Sequence, residues 1–276
     1  MIFKPSDGEK QQIMKTIFIS LLAGLIALQS FSQGNPTARE VIEKSREVSK
    51  IAGMETVSSL KIFDNKGNER VRQMTMASRI YDQGATEKRI IRFQSPADVK
   101  GTGMLIVDYQ DKEDDMWIYM PALKKTRRIV SGEKNKSFMG SEFSNADMAA
   151  PTMEDFTYKM LGSEQADGTD CWKIELSPAS ADIADEFGFS RKITWIGKQD
   201  YVPRKTEYYD LDNELWKVLN ASEVKVIDPA NKKALASMME MVNKQSGRRS
   251  VFILEQVQFS PSVKDEYFTI AWLERI

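Results

Sequence analysis

The chain of 276 residues contains no histidine, and that one absence removes much chemistry. There is no imidazole base near neutral pH, no Ser-His-Asp triad, no Cys-His pair and no His-ligated zinc. Cysteine is almost missing as well: Cys171 stands alone, so no internal disulfide can form. Lys and Arg number 39 against 40 Asp and Glu, a formal charge of −1. That balance gives no global attraction for nucleic acid, which is not expected as a partner. Gly-rich phosphate loops and dinucleotide fingerprints are missing, and no apolar run reaches the roughly 20 residues that span a bilayer. No cofactor and no metal are expected.

Carboxylates remain. Asp111 to Asp115, and the group Asp182, Asp185 and Glu186, are weighed as acid/base pairs or calcium ligands. Both fall where turns or surface helices are expected, so solvated charge is the simpler reading. Asp210 to Glu214 starts like a calcium loop but lacks the later glycine and distal glutamate, and reads as a hairpin turn. The chain is therefore read as a non-enzyme.

What is present begins with an export-type leader. Met14-Lys15-Thr16, the apolar run Ile17 to Leu28, and Ser30-Phe31-Ser32 follow the order of a secretory signal, predicting cleavage after Ser32. Residues 1–13 are polar and unlike an n-region, so residues 1–32 are read as a signal peptide whose translation starts at Met14; a long n-region is the alternative. Cys171 lies far from the cleavage point, so the exported chain is not expected to be lipidated there.

Thr37-Ala38-Arg39-Glu40 is a capping box, and Ala38, Val41, Ile42, Ser45, Val48 and Ala52 share one helical face. Strands follow. Thr56 to Phe63 and Glu69 to Tyr81 form a hairpin about Asn65 to Asn68, and Gln83-Gly84 leads into Thr86 to Phe93. Met104 to Tyr109 pairs with Met116 to Met120, and Cys171 to Leu176, Ser190 to Ile196, Val202 to Tyr209 and Leu215 to Val226 continue the series. This spacing predicts an antiparallel meander, open or closed. Met148 to Leu161 reads as helical or irregular. Residues 232–244 suit a helix through Leu235, Met238, Met239 and Val242, or a strand; a hairpin with Val251 to Phe259 is preferred. Phe268 to Leu273 reads as a short closing helix.

Fifteen methionines and 13 phenylalanines are the affirmative signal. Met74, Met76 and Ile80 share a strand face; Met104 with Ile106, Met116 with Ile118 and Met120, and Trp117 with Tyr119 form further alternating sets. Methionine suits a cavity for flexible acyl chains, though a filled core fits the same pattern equally. Lys124, Lys125, Arg127 and Arg128 suit anionic headgroups or a partner's acidic patch, with a solvated strand end as the plainer reading. Arg248 and Arg249 follow a turn and need no special role.

The stretch Asp115-Met116-Trp117-Ile118-Tyr119-Met120-Pro121-Ala122-Leu123, then Arg127-Arg128-Ile129, then Ser137-Phe138-Met139-Gly140-Ser141-Glu142-Phe143 with Asp147 beyond, resembles the outer-membrane lipoprotein-sorting, LolA-like family. Leu273-Glu274-Arg275 agrees with it. The resemblance implies a mainly β (α+β) fold: an incomplete, strongly curved antiparallel β-barrel with an N-terminal helix and a helical or loop lid over the concave face. Residues 33–276 would form that single half-barrel domain. It further implies a monomeric periplasmic carrier of lipid or lipoprotein acyl chains, working between an inner-membrane lipid-exporting transporter and an outer-membrane acceptor. An envelope sensor or adaptor using the same half-barrel is the alternative.

On this reading the hollow side is left open for hydrocarbon. Its apolar lining and lid are Met74, Met76, Met104, Ile106, Met116, Trp117, Ile118, Tyr119, Phe138, Met139 and Phe143. Arg127 and Arg128 are the candidate contacts for a headgroup or partner. A lid arginine implied by the family has Arg89, Arg92 and Arg128 as candidates by type, with hinges near Gly132 and Gly140.

Overall fold

Helix α1, Ala38–Ser49, begins with a complete capping box: Thr37 accepts from the Glu40 backbone while Glu40 reaches back to the Thr37 backbone. Its buried stripe is Ala38, Val41, Ile42, Ser45 and Val48, the face that the spacing predicts. The computed structural model describes residues 35–275; the signal sequence and the start at Met14 lie outside the described residues.

Six strands follow α1 in an unbroken meander: β1 (Gly53–Phe63), β2 (Glu69–Tyr81), β3 (Thr86–Ser95), β4 (Gly103–Tyr109), β5 (Asp115–Met120) and β6 (Lys125–Arg128). The chain then leaves the sheet until Phe156. Seven more strands make a second meander: β7 (Phe156–Ala166), β8 (Thr169–Pro178), β9 (Arg191–Gly197), β10 (Pro203–Tyr209), β11 (Leu215–Asp228), β12 (Lys233–Asn243) and β13 (Arg249–Phe259). Helix α2, Ala181–Phe187, joins β8 to β9, and the short helix α3, Ile270–Leu273, lies near the C-terminus.

The two meanders are joined by the antiparallel pairing of β1 with β13. All thirteen strands therefore form one sheet, in the order β6-β5-β4-β3-β2-β1-β13-β12-β11-β10-β9-β8-β7. The sheet curves into an incomplete barrel that does not close. Its two free edges, β6 and β7, are the strands that residues 129–155 connect. That segment thus has to run from one edge to the other, and it does so over the hollow. Ile129, Phe138 and Phe143 join Ile42 of α1, Met104, Ile174, Met241 and Phe252 in the main buried cluster.

The edges explain two patches of sequence. β6 reads Lys-Thr-Arg-Arg and is mostly exposed, so its charges guard an unpaired strand against association. β7 was not visible as a strand. Met148 to Leu161 reads as helical or irregular, whereas the structure has a 3-10 turn at Met153–Asp155 and then strand. In β7 Phe156, Tyr158 and Met160 face the main cluster while Thr157, Lys159 and Leu161 are exposed, so the two-residue period marks only the first half of this edge strand. Residues 233–243 settle as strand β12.

Candidate functional site

Strand alternation sorts the predicted site residues onto two faces. Register pairs Met76 with Ile91, Ile91 with Met104, and Met104 with Ile118. These four side chains form a row across β2 to β5 on the hollow side. A parallel row runs from Arg89 through Ile106 to Met116. Met74, Met104, Ile106 and Met116 are buried, while Met76 and Ile118 are partly so.

Trp117 and Tyr119 do not belong with them. They pack on the opposite face, with Leu105, Ile90, Phe268 and Leu273, because a period of two turns 117 and 119 away from 116 and 118. That face is covered by the C-terminal residues: the Arg92 guanidinium donates to the carbonyls of Trp272 and Leu273. Arg92 is therefore a cap for α3 and not a lid residue.

The hollow is also fuller than the sequence suggests. Phe138 lies on Phe93, with ring centroids 5.9 Å apart, and Phe143 on Phe252 at 6.3 Å. Two of the cavities that remain lie on either side of residues 138–146. On the β3–β6 side a cavity of about 250 Å³ is bounded by Phe93, Met104, Ile118, Ile129, Phe138 and Met139. On the β9–β12 side a second, of about 200 Å³, is bounded by Ala146, Asp147, Phe189, Lys192, Tyr208 and Met241. Each is smaller than the roughly 300–1,000 Å³ of usual ligand pockets.

The covering segment is held by polar contacts rather than by regular structure. Ser137 and Ser144 make an isolated bridge, and Phe138 N–H donates to the Phe143 carbonyl at 2.8 Å. The tip between them turns through left-handed backbone at Met139 (φ +52°) and Gly140 (φ +77°), a conformation that favours glycine at 140. Glu142, just past the tip, is 7% exposed. Its N–H donates to Ser250 Oγ at 3.0 Å, its carbonyl accepts from Lys217 Nζ at 2.7 Å, and its Oε2 accepts from Asn243 Nδ2 at 2.8 Å. Arg248 Nε lies 3.1 Å from Glu142 Oε1. Arg248, which needs no special role on spacing alone, is part of this clasp.

Two further ties flank the clasp. Lys134 Nζ, buried, meets the partly buried Glu186 Oε1 at 2.5 Å, and Asn135 donates to the Asp185 carbonyl. Glu186 is therefore not the solvated charge expected from the sequence. At the far end, Arg89 donates to the Met148 carbonyl and pairs with Glu87 at 2.8 Å and Asp108 at 3.7 Å. Of the three arginines considered for the lid, Arg89 alone touches it on this side. Arg128 pairs with Asp115 at 2.5 Å and Arg127 with Glu133 at 2.6 Å, both exposed at the β6 edge.

Acidic groups near Arg89 are perturbed. Burial pushes the Asp108 carboxyl up to about 6 against the pull of Arg89. Burial, with the charge of Asp108, pushes Asp114 up to about 7. Asp114 accepts from the Tyr109 N–H at 3.2 Å and is 8% exposed, so the turn at Asp111 to Asp115 is not uniformly solvated. Buried Asp108 and Asp114 and partly buried Glu87 and Arg89 form a charge group that strand periodicity cannot reveal, since each fits a solvated face equally well.

A family model described as an uncharacterized protein matches residues 85–275. Among solved structures, a domain described as an outer membrane lipoprotein-sorting protein, from Vibrio parahaemolyticus, is 26% identical, with a TM-score of 0.78 over 86% of this chain and 98% of that one. A DUF1329 family protein from Desulfovibrio piger is 27% identical, with a TM-score of 0.78 over 86% of this chain and 97% of its own. A LolA superfamily protein from Nitrosomonas europaea shares the fold at 18% identity, with a TM-score of 0.64 over 86% and 99%. No curated protein matches the sequence.

Proposed function

The chain belongs to the family whose model matches residues 85–275 and is similar over 86% of its length to an outer membrane lipoprotein-sorting domain, and on that premise we propose that it is a LolA-like periplasmic carrier of acyl chains. The cargo is a lipid or lipoprotein, received from an inner-membrane lipid-exporting transporter and passed toward an outer-membrane acceptor. The observation that carries this reading is the crossover from β6 to β7. A segment without regular structure spans an apolar hollow and is fastened by Glu142, Lys134 and Arg89 at its margins.

In this arrangement Phe138 and Phe143 hold the place of cargo. Their rings cover Phe93 and Phe252, and an incoming hydrocarbon displaces them as the segment swings about hinges near Gly132 and Gly140. Each methylene leaving water contributes roughly 0.8 kcal/mol, so a chain of a dozen carbons outweighs the few polar contacts that the lid gives up. Because the lid aromatics refill the hollow, release does not leave a void, and transfer to a better acceptor runs downhill.

The test is saturable uptake of an acyl chain carrying an environment-sensitive fluorophore. The carrier reading predicts blue-shifted emission that saturates at one chain per protein and is competed by unlabelled lipid. Absence of uptake at micromolar protein overturns it. The adaptor alternative rests on the exposed Lys124 and Lys125 beside β6; crosslinking from these positions to a single membrane protein, without lipid uptake, would favour it.

A further inference from the structure

The cavity on the β9–β12 side is unlike its neighbour, because a lysine projects into it without a partner. Lys192, on β9, is ringed by Phe156, Phe189 and Tyr208, whose centroids lie 5.3, 5.4 and 5.9 Å from its Nζ. Among the described residues none makes a hydrogen bond or ion pair with that ammonium. Burial holds it below the usual lysine range. Lys217 lines the same cavity; it gives one hydrogen to the Glu142 carbonyl at 2.7 Å, and an ammonium has two more to offer.

Asp147 acts on both ammonium groups through its charge but makes no ion pair with Lys192. Asp147 Oδ2 accepts from the Ser144 N–H at 2.7 Å and its hydroxyl at 2.9 Å, and Oδ1 accepts from the Tyr208 hydroxyl at 3.4 Å. Its oxygens are thus turned toward Ser144 and Tyr208. Two lysines and one engaged carboxylate thus line the cavity, and Lys192 is the one left without an acidic partner at contact distance. The rest of the wall is apolar, with Phe187, Phe189 and Met241.

We propose that this cavity is a subsite for the acidic group, a phosphate monoester or a carboxylate, of an amphiphilic cargo, with Lys192 as its principal contact. The inference rests on the carrier reading and specifies its cargo. A free anion would leave the aromatic walls unused, whereas an amphiphile uses both. The exposed arginines expected to meet a headgroup, Arg127 and Arg128, already have acidic partners; Lys192 does not. The subsite borders the loop at Ser144 to Asp147, while Phe138 and Met139 of the same loop border the apolar cavity, so head and tail occupy opposite sides of one lid.

The test is calorimetric titration of the intact protein with dodecyl phosphate, dodecanoate, dodecanol and inorganic phosphate. Both anionic amphiphiles are expected to bind at least about tenfold tighter than dodecanol, the gain of a charge-assisted contact. Lys192→Met should bring that ratio close to one, and Lys192→Arg should keep it. Equal affinities in the wild type, or a ratio unmoved by Lys192→Met, overturns the subsite and leaves the carrier reading intact. Inorganic phosphate binding as tightly as dodecyl phosphate overturns the amphiphile assignment. Binding of no dodecyl compound overturns the carrier reading together with the subsite. Should Lys192→Met fail to fold, the ¹³C-methylated wild type answers instead. Its Lys192 resonance, identified by its loss in Lys192→Arg, should move with dodecyl phosphate and not with dodecanol; identical responses overturn the proposal.

Discussion

Asn243 donates its side-chain amide to the Glu142 carboxylate at 2.8 Å across 101 residues of sequence, and with it β12 grips the segment that covers the hollow. Glu142 also meets Lys217 on β11 and Ser250 on β13. One buried residue therefore reports on the whole lid. Glu142→Ala strands the Asn243 amide and loosens Arg248, at a cost of about 1–3 kcal/mol. Urea denaturation should show that loss, and stopped-flow fluorescence should show faster acyl uptake than in the wild type. Slower uptake would mean that the clasp is not a gate.

Arg89 fastens the other end, and its role is separable. Arg89→Ala leaves Glu87 and Asp108 facing one another without their shared cation, and breaking such a buried group costs about 3–5 kcal/mol. Replacing Arg89 and Asp108 together by leucine should recover much of that loss. Chemical denaturation of the single and double variants checks it; equal instability of both would contradict the pairing.

Asp114 gives the stability an unusual pH dependence. Unfolded aspartate titrates near 3.9, while burial holds Asp114 up to about 7 and Asp108 up to about 6. Between those values the folded chain holds protons that the unfolded chain has lost, so this contribution is complete at acid pH and fades as pH rises from about 4 through about 7. Asp114→Asn keeps an acceptor for the Tyr109 N–H and removes the titration. It should flatten the slope over pH 5–7 and stabilise the fold at pH 8 by about 1–2 kcal/mol. An unchanged slope in thermal melts would refute the assignment.

Much of this could be read along the chain, for physical reasons. The capping box at Thr37, the Asn65 to Asn68 turn and the alternation of Met104, Ile106, Met116 and Ile118 are local signals, each written within a few residues. The alternation itself separates Met116 from Trp117; grouping both as lining ignored the face that the period assigns to each. Strand β7 carries only a short signal, the alternation of Phe156, Tyr158 and Met160, before five exposed residues. The order of the sheet was hidden because it depends on β1 finding β13, a pairing with no local trace. Lys192, Arg248 and Glu186 look like surface charges in sequence, since burial of a charge is decided by partners brought from far away.

The opposite face provides a control. Leu273 is completely buried and packs close to Gly103, where a Cβ would meet its Cδ1 at 2.7 Å. Leu273→Ala should cost about 2–5 kcal/mol and leave the selectivity of acyl uptake unaltered, as judged by competition with unlabelled lipids. A change in selectivity would place cargo on the wrong side of the sheet.

The most direct measurement is the lipid content of the protein itself. Isolated from an envelope fraction under native conditions and extracted into organic solvent, it should yield one class of acyl lipid in near-stoichiometric amount by mass spectrometry. Ile118→Asp, which sets a charge in the apolar row, should yield far less while remaining folded by circular dichroism. A wild-type protein that carries no lipid and takes up none when offered it would contradict the account.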